Sequence, residues 1–209
     1  MKNTYIIIGA VVIVAIIAFF VGSRDQVVSP VIINEEESTS MLSGGTYSVD
    51  LEKSYINWSG DYTNGSSQSG KVYLSSGSLS VANTEPSSGN FEIDIQSIKS
   101  EDNIVLDNYL KMPDFLDADN YPVAKFSITR ILPNPVVGTT TGKYIVDGRL
   151  TIKNIEKPIS FPIEVKQVGN RIIGHSSFAL NRAEWEIKSG DKAIKNAFSV
   201  ELYIEAVKE

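Results

Sequence analysis

The sequence predicts an all-β fold, an antiparallel barrel of about eight strands with one short helix, preceded by an N-terminal transmembrane helix. Three observations carry that prediction. From Thr46 onward apolar and polar residues alternate with period two, and Gly, Ser, Asn and Pro separate the runs, as strands with one dry and one wet face require. A single stretch, SEDNIVLDNYLKMPDFLDADNYP, carries a helical pattern instead. At the other end of the chain, the eighteen residues from Tyr5 to Gly22 contain no charge.

The uncharged run comes first. A bilayer core takes about 20 helical residues, or about 17 at the low end, and a cleavable signal sequence has an apolar stretch of roughly 7–15. The run lies between the two. Val21-Gly22-Ser23 is the candidate cleavage site, and bulky Phe19 and Phe20 precede it, which favours a retained anchor over a removed signal peptide. Lys2 lies before the run and Glu35, Glu36 and Glu37 after it, so the charge bias puts the C-terminal part outside the cytoplasm. Residues 1–23 are therefore read as signal anchor or signal peptide, 24–45 as a flexible Ser-, Glu- and Asn-rich spacer, and 46–209 as the barrel domain. The domain is membrane-anchored on that reading, and secreted if the first segment is cleaved.

The strands follow. FEIDIQSI places Phe91, Ile93 and Ile95 on one face and Glu92, Asp94 and Gln96 on the other. KYIVDGRLTI sets Tyr144, Val146, Leu150 and Ile152 against Ile145, Asp147, Arg149 and Thr151. In ISFPIEV the inward set is Ile159, Phe161, Ile163 and Val165, and in AFSVELYIEAV it is Phe198, Val200, Leu202 and Ile204. Weaker strands fit INWSG, KVYL, SLSV, AKFSIT and RIIGHSSFAL, which brings the count to eight or nine. In the helical stretch Ser100 can cap, Glu101 and Asp102 suit an N-terminus, and Pro113 stops the helix. So many antiparallel strands with one helix favour closure into a barrel, which removes sheet edges and leaves an interior that side chains fill or that holds one slender ligand.

Composition excludes several functions. The net charge is -6 and the basic residues are scattered, which argues against a nucleic-acid partner. With no cysteine there is no disulfide, thiolate nucleophile, Cys-ligated metal or lipid-modified cysteine. The one histidine, His175, falls on the face opposite Ile172, Phe178 and Leu180, away from the interior. Asp114, Asp117 and Asp119 lack the order and closing Glu of a calcium loop and are read as helix-ending, solvated residues, so no metal is expected. The acids Glu92, Asp94, Glu164, Glu201 and Glu205 fall on wet strand faces, which disfavours a carboxylate-based hydrolase. No catalytic residue is assigned.

Several segments taken together, YSVDLEKSYINWSG, SGKVYLSSGSL, FEIDIQSI, DNYLKMPDFLDADNYPVAKFSIT, DGRLTIKNIEKPISFPIEV and FALNRAEWEI, resemble the YceI-like family of lipocalin-like proteins. The most specific pieces are Asp107-x-x-Leu110 followed by Asp114-Phe115-x-Asp117 and Tyr121-Pro122, and the run from Gly148-x-Leu150-Thr151-Ile152 to Lys157-Pro158. Departures are Tyr109 where the family often has His, Leu116 for the second Phe of its helix-end motif, and Glu186 for a frequent Gly or Asn. The resemblance implies a lipocalin-like barrel outside the cytoplasm that binds a polyisoprenoid or other amphiphilic lipid, with no other cofactor. On that basis the tail lies along Trp58, Phe91, Phe126, Tyr144, Phe161, Phe178 and Phe198, and the head lies at a mouth formed by Tyr109, Leu110, Phe115, Arg182 and Trp185. From the residues alone the strand aromatics and Trp185 are first of all core, and Arg182 is either a surface ion-pair partner or a structural element of the mouth loop. The partners are then a lipid and, through the N-terminal helix, a membrane; a homodimer is compatible with the same reading. The rival functions are a non-catalytic interaction module with a filled barrel and, behind it, the hydrolase.

Overall fold

The computed structural model describes residues 42–134, 142–188 and 194–209. Among them nine strands form one antiparallel sheet: β1 (Gly45–Val49), β2 (Tyr55–Tyr62), β3 (Ser67–Ala82), β4 (Glu85–Ser100), β5 (Val123–Pro133), β6 (Gly142–Ile152), β7 (Ile155–Val168), β8 (Arg171–Asn181) and β9 (Ile194–Lys208). The helix α1 (Ile104–Lys111) follows β4, and a 3₁₀ turn, Arg182–Trp185, follows β8. The N-terminal helix expected from Tyr5–Gly22 lies outside the described residues. No helix among the described residues is long and apolar enough to cross a membrane.

The sheet order is β1-β3-β2-β9-β8-β7-β6-β5-β4, and the additional β3–β4 pairing closes it. Eight positions make the ring, because β1 and β2 share one. β1 pairs with β3 through Gly45–Ser48 and with β9 through Tyr47–Val49, while β2 pairs with the same two strands further along. The residues between them, Asp50–Ser54, arch out of the ladder. Ser54 is fully buried under the arch, where its hydroxyl donates to the Glu205 carbonyl at 3.2 Å and accepts from the Glu205 amide at 3.0 Å.

The arch also covers the Glu205 carboxylate, which alternation had placed on a wet face. Glu205 does point away from the interior, yet it is buried, held by Lys53 and Arg171 at 3.0 Å each. Period two names the face of a strand and is silent about what a neighbouring loop lays over it.

Closely spaced strands meet through tight turns. Lys153 and Asn154 both have positive φ, 52° and 60°, as a two-residue turn between β6 and β7 requires. KVYL and SLSV, read as separate strands, run on as the single β3. Ahead of β1, Leu42 is buried and the Ser43 amide donates to the Gln167 side chain at 2.6 Å.

The core has two ends. At one, Leu42, Tyr47, Val81, Tyr144, Val165, Ile172 and Ala206 pack into a plug, with Tyr47 wholly buried. At the other, α1 and the chain after it lie across the openings of β4 and β5: Leu110 and Leu116 pack on Val72, Ile93, Ile95, Ile98, Ala118 and Ala124.

The barrel cavity as candidate site

The strands that alternate cleanly also wall a void. A cavity of about 330 Å³ runs along the barrel axis, lined from the plugged end by Leu79, Tyr144 and Val165 and at the α1 end by Leu106, Leu110 and Phe115. Inward residues such as Phe178, Leu180, Phe198, Leu202 and Ile204 are only half-buried although they face the middle, because part of each borders that void. An apolar space of this size is in the range of small-ligand sites.

One side of the wall is aromatic. Phe91 of β4 lies 6.3 Å from Phe126 of β5, Phe126 5.6 Å from Phe161 of β7, and Phe161 4.4 Å from Phe178 of β8, in stacked or tilted pairs. Such pairs add about 0.5–1.5 kcal/mol each beyond the area they bury, so they stiffen the wall and need no ligand to hold their places.

Ten of the twelve residues picked from the sequence line the cavity: Trp58, Phe91, Leu110, Phe115, Phe126, Tyr144, Phe161, Phe178, Arg182 and Phe198. Tyr109 and Trp185 do not. Tyr109 sits on the outer side of α1 at 51% exposure, since an eight-residue helix lying across the barrel end can turn only one face inward, and Leu106 and Leu110 occupy that face. Trp185 is wholly buried, with its indole N–H donating to the Leu150 carbonyl at 3.2 Å. It packs behind the lining among Phe126, Val146, Leu150 and Phe161.

Arg182 structures the mouth loop. Its guanidinium donates to the carbonyls of Ile187 (2.9 Å), Ile194 (3.2 Å) and Lys195 (3.2 Å), tying the start of β9 to the turn after β8. Burial holds its pKa below the ordinary guanidinium value. At the plugged end, burial and the neighbouring Glu85 carboxylate push the Tyr144 phenol up, so it stays neutral.

Some lining residues escaped the alternation. Ile98 is out of phase with Ile95, yet both line the cavity, because β4 bulges between them. The Tyr73 amide donates to the Ser97 hydroxyl at 2.9 Å, which in turn donates to the Asp94 carbonyl at 2.6 Å, so side-chain oxygen replaces the missing ladder partner. Ser97, a polar residue in the phase of Phe91, Ile93 and Ile95, was the available signal. Ile56, Val72 and Leu74, from the weaker strands, line the cavity as well.

Gln68, Arg182 and Lys195 line the cavity, and other polar groups sit outside. His175 faces outward with its Nε2 3.1 Å from Glu201 Oε1, and Glu201 Oε2 also accepts from the Asn57 side-chain Nδ2 at 2.9 Å. Those contacts, Asn57 first, hold the Glu201 carboxyl below its ordinary range. Among the described residues no cluster of three or more His, Cys, Asp or Glu side chains is placed to hold a metal. The Asp117 carboxylate accepts from the Asn120 side chain at 2.9 Å, a loop contact.

A closed antiparallel barrel with an apolar axial cavity, plugged at one end and roofed by a helix at the other, belongs to the class of small β-barrels built around an internal compartment. A sequence model of the YceI-like domain matches residues 47–206, and the chain belongs to the YceI-like family. A UPF0312 protein of Pseudomonas putida is 24% identical over 187 residues, covering 82% of this chain and 93% of that protein. Among solved structures, BcnA of Burkholderia cenocepacia superimposes with a TM-score of 0.66 at 22% identity, covering 76% of this chain and 99% of its own. A polyisoprenoid-binding domain from Saccharophagus degradans gives 0.63 at 16% identity, covering 78% and 98%.

Proposed function

We propose that the chain binds an isoprenoid-type or other amphiphilic lipid in the barrel cavity, outside the cytoplasm, and sequesters or carries it without altering it chemically. The single observation that carries this is the void itself, an apolar space of about 330 Å³ in a barrel that could have filled its middle with side chains. Supporting it, the Saccharophagus degradans domain of the same fold is a polyisoprenoid-binding domain. Burying about ten methylene equivalents is worth roughly 8 kcal/mol before the costs of association are subtracted, so an apolar tail supplies useful affinity by itself.

The filled-barrel interaction module fits this interior less well, because half-buried inward side chains are what a hollow barrel has. A binding role is further supported by the outward placement of acids, as where Glu92 meets Lys125 at 3.5 Å and Glu164 meets Lys143 at 2.7 Å. Location rests on the sequence of residues 1–23, whose retention would hold the carrier at the membrane in which such a ligand resides. Native mass spectrometry of the chain purified from its own host tests the proposal. One lipid mass per chain, lost on solvent extraction, is expected; a chain that is always empty contradicts it.

A further inference from the structure

The roof helix is apolar on both faces. Leu106 and Leu110 line the cavity, while Ile104, Val105 and Tyr109, with Met112 at the C-cap, turn away from it at 77%, 60%, 51% and 46% exposure. At about 100° per residue these four and the exposed Asn108 fall within about 140° of arc, one uncharged outer face. The other large apolar residues exposed among the described ones lie apart, Leu51 in the arch and Tyr73, Leu132 and Val168 on β3, β5 and β7. Single apolar residues on a surface are ordinary, whereas a cluster on one helix marks a contact. The fold itself does not use this face, since α1 is held down through Leu110 and through Asp107, which accepts from Ser100.

Three observations choose the occupant. The face lies on the helix that roofs the apolar cavity, so whatever covers it also sits at the end of the lipid site. An eight-residue helix is about 12 Å long and about 10 Å across, a footprint of roughly 100–200 Å², far below the roughly 800 Å² per partner of a stable protein interface. A bilayer asks for less, because a chain tethered through residues 1–23 meets it at high effective concentration. Glu101, Asp102 and Asp114 flank the face together with Lys111 and with Lys153, whose ammonium donates to the Pro113 carbonyl at 3.2 Å. The rim is therefore not basic and suits a zwitterionic surface rather than an anionic one. Residues 24–41 reach about 60 Å when extended, longer than the 16-residue strands β3 and β4, so entry of the chain at the plugged end leaves the roof free to face a membrane. We propose that the outer face of α1 docks on a zwitterionic bilayer, seating Ile104, Val105 and Met112 at the acyl boundary with Tyr109 among the headgroups, and that the cavity exchanges its ligand with the membrane there. The inference rests on the lipid-binding reading and adds the surface at which loading occurs.

The chain has no cysteine, so a single one can report on the face. Val105→Cys and, as an outward strand control, Glu164→Cys each carry an environment-sensitive fluorophore in the full chain, reconstituted into phosphatidylcholine vesicles with or without a lipid spin-labelled on its acyl chain. The emission at position 105 shifts to the blue and the spin-labelled lipid quenches it; at position 164 neither happens. A blue shift without quenching means that protein covers the face, whether a second copy or another part of this chain. No shift means that nothing does. Either result overturns the docking and leaves lipid binding in the cavity standing. Loading is read separately, as uptake of geranylgeraniol from the same vesicles. Ile104→Ser with Val105→Ser slows that uptake about five- to tenfold and leaves the final occupancy within about twofold, because both side chains lie outside the cavity. Equal rates in variant and wild type overturn exchange at this face. If the wild-type chain takes up no geranylgeraniol, the lipid reading falls and this inference with it.

Discussion

Gly148 of β6 lies so close to Phe126 of β5 that a Cβ at position 148 would sit 2.3 Å from both Cε2 and Cζ of the ring. The missing side chain lets the Phe126 ring reach across β6 to within 5.6 Å of Phe161 on β7. Without that gap the aromatic wall would be split at β6. Gly148→Ala therefore lowers stability by about 1–3 kcal/mol through overpacking. A Cβ at position 148 would also lie 2.7 Å from the Ser127 carbonyl oxygen, so Phe126→Leu in the same chain recovers only the part of the loss that the ring causes. Thermal melts of the single and double variants check this, and strictly additive effects would deny the contact.

Asp107 ties the roof to the barrel. Its Oδ1 accepts from the Ser100 amide at 2.5 Å and from the Ser100 hydroxyl at 2.8 Å, joining α1 to the end of β4. The amide contact, then the hydroxyl, holds the Asp107 carboxyl below its ordinary value. A depressed carboxylate contributes its stabilisation above the unfolded pKa and loses it as pH falls through the folded one, so α1 stays docked at neutral pH and loosens in acid below about pH 4. Hydrogen exchange of the α1 amides should quicken in Asp107→Ala at neutral pH, with β6 to β9 unchanged. Equal protection in variant and wild type would mean that apolar contacts alone hold the roof.

Inward and outward positions should respond in opposite ways. Phe161→Asp and Phe198→Asp place a carboxylate in the apolar cavity wall, cost several kcal/mol and abolish ligand retention. Glu164→Ala removes a half-exposed partner of Lys143 and changes stability by under about 1 kcal/mol. Glu205→Ala falls between them, at about 1–3 kcal/mol, because it strips Lys53 and Arg171, both nearly half exposed, of a buried counter-charge. Denaturant melts rank the series, and Glu205→Ala matching Glu164→Ala would contradict the arch as described.

Leu110 and Phe115 line the α1 end of the cavity and are only partly buried. Leu110→Ala combined with Phe115→Ala is expected to lower lipid occupancy while moving the melt by only a few degrees, since the roof is less coupled to the core than the strand rows. Occupancy by mass spectrometry beside a melt of the same sample tests it. Collapse of the fold would make this segment core.

The barrel was legible where one rule governs: along β6, β7 and β9 period two named the inward residues, since those strands alternate without interruption. It failed at Ile98, where a bulge shifts the phase, and at Glu205, where the Asp50–Ser54 arch covers an outward face. The arch is a tertiary event that local pattern does not encode, and the bulge left only Ser97, polar at an inward phase, as its trace. The placement of Trp185 was illegible for a similar reason. Sequence placed Trp185 at the mouth because it stands in a loop motif, whereas the 3₁₀ turn drives it into the wall and satisfies its N–H. Tyr109 shows the limit from the other side, since the face of a short helix depends on how it docks.

The account stands on the cavity holding a lipid, and the most direct measurement is lipid mass spectrometry of organic extracts from the wild-type chain and from Leu202→Trp, both made in the native host. Leu202 borders the void, so the larger ring occupies it from within. An isoprenoid-type lipid near one per chain in the wild type, and its loss in a Leu202→Trp variant that melts as the wild type does, is the result expected. No lipid above background in the wild type, or equal lipid in both proteins, would contradict a ligand inside the barrel.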